Sequence, residues 1–322
     1  MEVNPDNPAW LEKSHPNFLR WKKARELSID RGKFVSSVIK QQLQTKNLIV
    51  LDLGSGEGGT SKVFSDGNFV VSFDLSLIRL QRQKEDIILS KECESSNKKS
   101  EIRICHFDQR EKSESNIEGD FSVENSFEMT HKNLVNGSAL QLPFSDNSFD
   151  LIIIQDVIEH LTDVNEFYSE VKRVLKSKGT VYLSTPNKFS IFNFIADPHF
   201  GLPLVSLLNR DWIKKYFLKY FRKDDYNRTD IAQLFSLNDV TNLFKNDFEI
   251  KLHTKFSVTE LFNGNKGIVW SNFHLKLIEF CKQIKLDRVL VKIVNDKFGV
   301  LNKFFTPTFY FILAKSKIQS NK

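Results

Sequence analysis

The stretch VLDLGSGEGGT, Val50 to Thr60, decides how this chain is read. Its apolar start ending in glycine suits a buried parallel strand, and Gly54, Gly56 and Gly59 fit the spacing G-x-G-x-x-G. Glycines at such a bend let the backbone turn tightly and approach a ligand beside a helix N-terminus. That duty is common to several cofactor sites, so the glycines alone do not name the ligand. Asp52, two residues before the first glycine, separates the readings. A dinucleotide site seats an anionic pyrophosphate there and gains nothing from a carboxylate; a cationic ligand does gain. NAD is therefore disfavoured.

Working outward, NLIVLDLG is followed by a short helix in TSKVFSDG and a second buried strand in NFVVSFDLS. The alternation continues through FDLIIIQD, VNEFYSEVKRVLKSKG and TVYLSTPN, the pattern of an open α/β sheet with crossover helices. Residues 1–46 read as N-terminal helices, with helical spacing from Phe18 to Leu43 interrupted by Gly32 alone. Residues 47–188 form the core. Within it, 91–131 is rich in Ser, Glu, Lys and Asn and poor in aliphatics, and is expected to be a disordered insertion. IRICHFD could form a strand there, but NLVNGSALQLPF is the better continuation of the sheet. Residues 189–235 are aromatic, basic and interrupted by Pro198 and Pro203, which predicts a lid or substrate segment. Residues 236–322 return to the same domain with a helix near Leu237–Phe244, a strand at FEIKLHTKF, helices from about Asn272 to Phe305, and a last strand, TFYFILAKS.

Composition fits a globular chain: 322 residues, 40% of them hydrophobic. No run approaches a membrane span and the first residues do not resemble a signal peptide, so a cytoplasmic protein is expected. Cys93, Cys105 and Cys281 are scattered without metal-ligand spacing and read as incidental thiols. The net charge of +6 is uneven: residues 201–322 hold 21 Lys and Arg against 11 Asp and Glu, leaving the rest slightly acidic. Such a basic third suits an anionic lipid surface, a nucleic acid or an anionic substrate, or is a solvated face.

VLDLGSGEG resembles motif I of the class I S-adenosylmethionine-dependent methyltransferases, and the likeness extends beyond the loop. FDLS resembles the end of their second strand, GSALQLPFSDNSFDLIIIQDVIEHL the next two motifs of the ubiquinone and menaquinone branch, and VKRVLKSKGTVYLSTPN the following helix and strand. The resemblance covers about Ile49 to Asn187 apart from the insertion. It implies a three-layer, Rossmann-like α/β fold with a seven-stranded, mostly parallel sheet, the last strand antiparallel, and helical lid insertions. It also implies S-adenosylmethionine as cofactor: Asp52, Gly54, Ser55 and Gly56 on the methionine side, Asp74 and Leu75 at the ribose, Ser138, Ala139 and Leu140 around the adenine, Gln155 and Asp156 facing the methyl donor. The family usually has an acidic residue at the position of Ser138. A hydroxyl is the weaker acceptor for the adenine amino group, so reduced cofactor affinity is expected.

QDVIEHL sets Asp156, Glu159 and His160 at i, i+3 and i+4, on one side of a helical turn. Small-RNA 2'-O-methyltransferases and one group of quinone O-methyltransferases resemble this with a metal-holding E-x-x-E-H. The ordinary reading gives these side chains to helix capping and cleft lining and expects no metal; the alternative takes Asp156, Glu159 and His160 as ligands, with His199 as a further one. His199, in ADPHFGLP, is also the candidate base for an acceptor hydroxyl. Arg25 and Arg31 are candidates to clamp a methionine carboxylate, against a plain surface role. In DWIKKYFLKYFRK, Trp212, Tyr216, Phe217, Tyr220 and Phe221 interleave with Lys214, Lys215, Lys219 and Arg222. This basic amphipathic helix is expected to cover the site with its apolar side inward, with peripheral membrane contact or RNA binding as alternatives. The expected activity is methyl transfer to a small, glycan-like or lipid-linked acceptor, at oxygen, giving S-adenosylhomocysteine. A metal-dependent RNA 2'-O-methyltransferase and a non-catalytic S-adenosylmethionine-binding module are the alternatives.

Overall fold

A computed structural model describes residues 18–94, 104–106, 133–223, 226, 231–268 and 272–316. Two helices, α1 (Phe18–Glu26) and α2 (Ser28–Ile39), precede strand β1 (Ile49–Leu53). There follow α3 (Gly59–Phe64), β2 (Phe69–Asp74), α4 (Leu77–Glu94), β3 (Ile104–His106), β4 (Asn133–Asn136), β5 (Phe149–Gln155), α5 (Val164–Val174) and β6 (Leu175–Pro186). The central strands are runs of β-branched and aliphatic residues, buried on both faces because helices cover both. Helix α5 starts where the Asp163 carboxylate accepts from the amides of Asn165 and Glu166, at 2.9 and 3.0 Å. It buries Phe167, Val171 and Val174, spaced i, i+4 and i+7, against the sheet.

Past β6 the chain forms α6 (Ile191–Ile195), α7 (Arg210–Trp212), a π-helical turn at Ile213–Leu218 and α8 (Lys219–Phe221). It then returns through α9 (Leu237–Phe244), β7 (Phe248–Leu252), α10 (Thr254–Phe262), α11 (Asn272–Gln283), α12 (Leu286–Ile293) and α13 (Val300–Phe304) to β8 (Thr308–Lys315). The strand order is β3-β4-β2-β1-β5-β6-β8-β7, all parallel except β8, which runs antiparallel to β6 and β7. The seven expected strands are present with the last one antiparallel. An eighth, β3, lies inside the insertion expected to be disordered: Ile104, Cys105 and His106 pair in parallel with Leu134, Val135 and Asn136 and so occupy the outer edge of β4. Helix α4 also runs to Glu94, into the same segment. The rest of the 91–131 insertion lies outside the described residues.

Helix α2 belongs to the core. Phe34, Val35, Val38 and Ile39 of α2 pack with Val50, Leu151, Tyr182 and Tyr310 on one face of the sheet, while α5 and α9 cover the other. Helix α2 reaches α3 through glycine. A Cβ on Gly32 would stand 2.7 Å from the Gly59 carbonyl oxygen and 2.9 Å from Thr60 Cα, both backbone atoms. Alanine at 32 gains up to about 1 kcal/mol of helix propensity, but overpacking against unyielding backbone costs about 1–3 kcal/mol. Gly32→Ala is therefore expected to lower stability by a net amount near 1 kcal/mol, read as an earlier midpoint in urea; a later midpoint would mean that the two helices separate freely.

The segment expected to form a lid has its own small core of Phe200, Val205, Ile213, Leu218 and Ile231. Here the aromatic helix departs from expectation. Its aliphatic Ile213 and Leu218 face inward, whereas Trp212, at 56% exposure, and Phe221, at 69%, face out with Tyr216 and Tyr220. The wide turn at 213–218 is the reason. A π-turn carries an extra residue, so the 3.6-residue period that would align the aromatics with the lid core breaks in mid-helix.

Candidate active site at the carboxyl edge of the sheet

β1 and β2 end side by side, and the loop after β1 bends over β2: the amides of Gly54 and Ser55 both donate to the Phe73 carbonyl, at 2.8 and 3.0 Å. Gly54 has φ +78°, and a Cβ there would come within 2.3 Å of Val157 Cγ2. Gly56 has φ +54°, and the nearest atoms to a Cβ on it would be 4.0 Å away, so the space above it is open. The loop is held from two sides. Asp74 Oδ2 accepts from the Gly56 amide and Oδ1 from the Ser76 amide, each at 2.8 Å. Gln83 of α4 donates from Nε2 to Ser55 Oγ (2.9 Å) and to the Gly56 carbonyl (2.7 Å). Asn136 donates to the Asp74 and Leu75 carbonyls, joining the β2 and β4 ends, and the exposed Leu75 side chain stands at the rim. Ser138, Ala139 and Leu140 follow β4; the Ser138 hydroxyl accepts from the Leu140 amide at 3.2 Å, which turns the chain there.

Asp52 is placed differently from the expectation that its carboxylate stands beside the ligand. It is buried, and Oδ2 accepts from the Ser61 hydroxyl at 2.5 Å; Ser61 in turn accepts from Ser72 at 2.6 Å. The carboxylate thus tethers α3 behind the loop.

Beyond β5, Gln155 accepts from the Thr60 hydroxyl at 2.7 Å, and the chain turns at Asp156 with φ +52°. Left-handed backbone at a non-glycine residue is uncommon and is concentrated at functional turns. The Asp156 amide donates to the Ser184 carbonyl at 3.0 Å, and the Ser184 hydroxyl to Asp156 Oδ1 at 3.2 Å. Arg31 of α2 lines the same small recess, with Gln155, Asp156, Ser184 and Tyr310. Burial pushes the Asp156 carboxyl up, against the guanidinium of Arg31 and the Ser184 hydroxyl, which pull it down. Burial lowers Arg31, and Asp156 opposes that shift. Arg25 sits on α1 and is not among the recess residues.

The D-x-x-E-H set is split by that turn. Ile158–His160 form a 3-10 turn, so Asp156 looks to Ser184 and Arg31 while Glu159 looks into the lid. Glu159 is fully buried; Oε2 accepts from Thr185 Oγ1 at 3.0 Å, and Oε1 makes no hydrogen bond. His199 reaches it from the lid, with Nε2 3.9 Å from Oε1, and the His160 and His199 rings meet edge to face at 5.0 Å. Potential ligand atoms of Glu159, His160 and His199 all lie within 4.8 Å of one another. The geometric trio therefore includes His199 in place of Asp156. Burial first, and the neighbouring Asp156 carboxylate second, hold the Glu159 carboxyl well above the usual carboxylate range. The lid is bolted here: Arg210 donates to the carbonyls of Glu159, Leu161 and Ile231, and Asp197 orients the turn by accepting from the His199 and Phe200 amides.

Residues 51–183 match the family model described as a methyltransferase domain. Residues 51–183 thus form a methyltransferase domain. An uncharacterized protein of Methanocaldococcus jannaschii is 27% identical over 192 residues, covering 59% of this chain and 63% of that one. A demethylmenaquinone methyltransferase of Geobacillus stearothermophilus is 32% identical over 143 residues, covering 41% and 56%. The chain thus spans less than two thirds of the curated relatives it matches. Among solved structures, a Haemonchus contortus phosphoethanolamine N-methyltransferase in complex with S-adenosylmethionine is similar at 15% identity and a TM-score of 0.47, over 88% of this chain and 52% of that one.

S-adenosylmethionine is the cofactor of this family, and the methyltransferase domain's residues fit it. The space over Gly56 is free, and the Asp74 carboxylate accepts from the Gly56 amide. Gln83 and Asn136 brace Gly56 and the end of β2, Thr60 donates to Gln155, and Arg31 lines the recess with Asp156. Arg31 was named by sequence only as one of two candidate arginines; Gln83 and Asn136 carry no motif that would have singled them out.

Proposed function

We propose that this chain transfers a methyl group from S-adenosylmethionine to an oxygen of a small, glycan-like or lipid-linked acceptor, releasing S-adenosylhomocysteine. The cofactor brings a methyl group already activated on a sulfonium, so the protein's tasks are alignment and, for a hydroxyl, removal of a proton. The glycine loop and Asp74 hold the donor; Gln155 and Asp156 border the methyl end. One observation supports the acceptor side: the His199 imidazole has its Nε2 3.9 Å from the buried carboxyl of Glu159. An imidazolium formed at His199 as it takes the acceptor proton favours ionisation of Glu159, against the burial that holds that carboxyl up.

The convergence of Glu159, His160 and His199 supports a second reading, in which these residues hold a divalent cation that binds an acceptor 2'-hydroxyl of RNA. A single assay separates the readings. Radiolabelled S-adenosylmethionine is incubated with the protein and fractionated cell extract, with and without chelator. The base reading expects labelled product that survives chelation, and a His199→Gln protein whose turnover falls about a hundredfold, mainly by loss of the limb that rises near neutral pH. Chelator-sensitive label in RNA, restored by manganese or magnesium, would replace the base reading with the metal one. No labelled product in any fraction would leave a binding module without transfer.

A further inference from the structure

Segments that follow β6 and precede β8 expose several large apolar side chains. Asn187, just past β6, donates from Nδ2 to the carbonyls of Asn302, Lys303 and Thr306, at 3.2, 3.0 and 2.8 Å, and so caps the end of α13. Asn193, in α6, donates to the Asn187 and Pro307 carbonyls, each at 2.8 Å. Asn302 ties α13 to the end of the α12 connection by donating to the Asn295 and Lys297 carbonyls. This buried amide network fastens α6 and α13 to one corner. On their outer sides they present Phe192 and Ile195, at 50% and 68% exposure, and Val300 and Phe305, at 69% and 53%. Helix α12 adds Leu286, Val289 and Ile293, spaced i, i+3 and i+7, none of them buried. The outward rings of the lid helix belong to the same lid, whose Arg222 donates to the Phe200 carbonyl.

The charge on these segments is positive. Residues 188–222 hold six Lys and Arg against two Asp, and 286–305 hold four against two. Asp197 is spent on the lid turn, and Asp296 accepts from the Lys255 amide at 2.8 Å. Ammonium groups stand beside outward rings: Lys188 Nζ is 5.8 Å from the Phe189 centroid, Lys215 5.2 Å from Tyr216 and Lys219 5.7 Å from Tyr220. Apolar side chains flanked by flexible cations fit an interface where rings enter the acyl boundary and lysines reach the headgroups. No helix among the described residues is long and apolar enough to cross a membrane.

We propose that the rim formed by α6, α13 and the lid helix docks on an anionic lipid bilayer, with the cleft mouth facing the headgroups. This deepens the lipid-linked form of the proposed function, yet its test needs neither donor nor acceptor, so the two can fail separately. The full chain is sedimented with vesicles of phosphatidylcholine, alone or mixed with phosphatidylglycerol, at low and high salt. Binding is expected with the anionic vesicles and weaker at high salt. It should fall at least about tenfold in Phe192→Ser/Phe305→Ser and in Lys214→Glu/Lys215→Glu, given what two apolar insertions or a reversal of charge are worth at such an interface. Urea unfolding midpoints matching the parent show that these variants are folded. Absence of binding to anionic vesicles overturns the proposal, as does equal, salt-independent binding to neutral ones. A parent dimer that Phe192→Ser/Phe305→Ser turns into monomer, without vesicle binding, assigns the face to a second copy of the chain and overturns it too.

Discussion

An Asp74→Ala protein is expected to bind S-adenosylhomocysteine about a hundredfold more weakly than the parent and to unfold at lower urea. Two losses add. The carboxylate is buried at the tip of β2 and accepts from two amides, Gly56 and Ser76. Removing it strands both donors, at about 1–3 kcal/mol for each that stays dry. The Gly56 backbone, held at φ +54°, then loses the bond that fixes it toward the cleft. On the ribose role that the resemblance implies, the remaining lone pairs would accept from the two ribose hydroxyls, and charge-assisted bonds of that kind are worth about 1.5–3 kcal/mol each. Two at the low end correspond to roughly two powers of ten in affinity. Asp74→Asn keeps one carbonyl for the Gly56 amide and should fall between the two proteins. Calorimetric titration reads all three. Near-parental affinity in Asp74→Ala would mean that the nucleoside does not lie against β2, and the ribose role drawn from the resemblance would fail.

The parts of this site legible in the sequence are those whose partners lie within one motif. The glycine loop and Asp74 sit at the ends of consecutive apolar strands, and a short apolar run bounded by glycine has few other uses. The sheet was legible for the same reason: β1, β2, β5, β8 and the second half of β6 are buried, mainly apolar runs. β3 was not, because three residues in a polar segment carry no period, and only the free edge of β4 gives them a place. The pairing of Glu159 with His199 depends on a lid that returns 40 positions later in the chain and on Arg210, which no motif marks. The direction of the lid aromatics failed because a 3.6-residue period was assumed across a π-turn. The motif marks the position of Asp52, but the hydroxyl of Ser61, nine residues on, decides where its carboxylate points.

Replacing Arg31 with methionine should destabilise the protein by about 3–5 kcal/mol at neutral pH, the usual consequence of leaving one charge of a buried pair alone. Arg31 and Asp156 line one recess, and each moderates the burial of the other. Without the guanidinium, Asp156 keeps only the Ser184 hydroxyl, at 3.2 Å, as a side-chain donor. Its folded-state pKa, already raised, rises further, while the unfolded value stays ordinary. A carboxyl of that kind holds its proton more tightly when folded. Its contribution to stability is therefore full below the ordinary carboxylate range and is lost as pH rises from that range toward the folded pKa. The deficit of Arg31→Met should be smallest in mildly acidic buffer and grow toward neutrality, as read from urea unfolding across pH. Arg31→Met/Asp156→Asn removes both charges and should recover most of the loss, an interaction energy of the size that only neighbouring groups show. A deficit that ignores pH and persists in the double variant would assign the effect to the packed arginine stem. Recovery of stability need not restore catalysis. Asp156 borders the proposed methyl end of the cleft, so the double variant is expected to fold like the parent while methyl transfer stays depressed, and that divergence distinguishes a pair kept for the site from one kept for the fold.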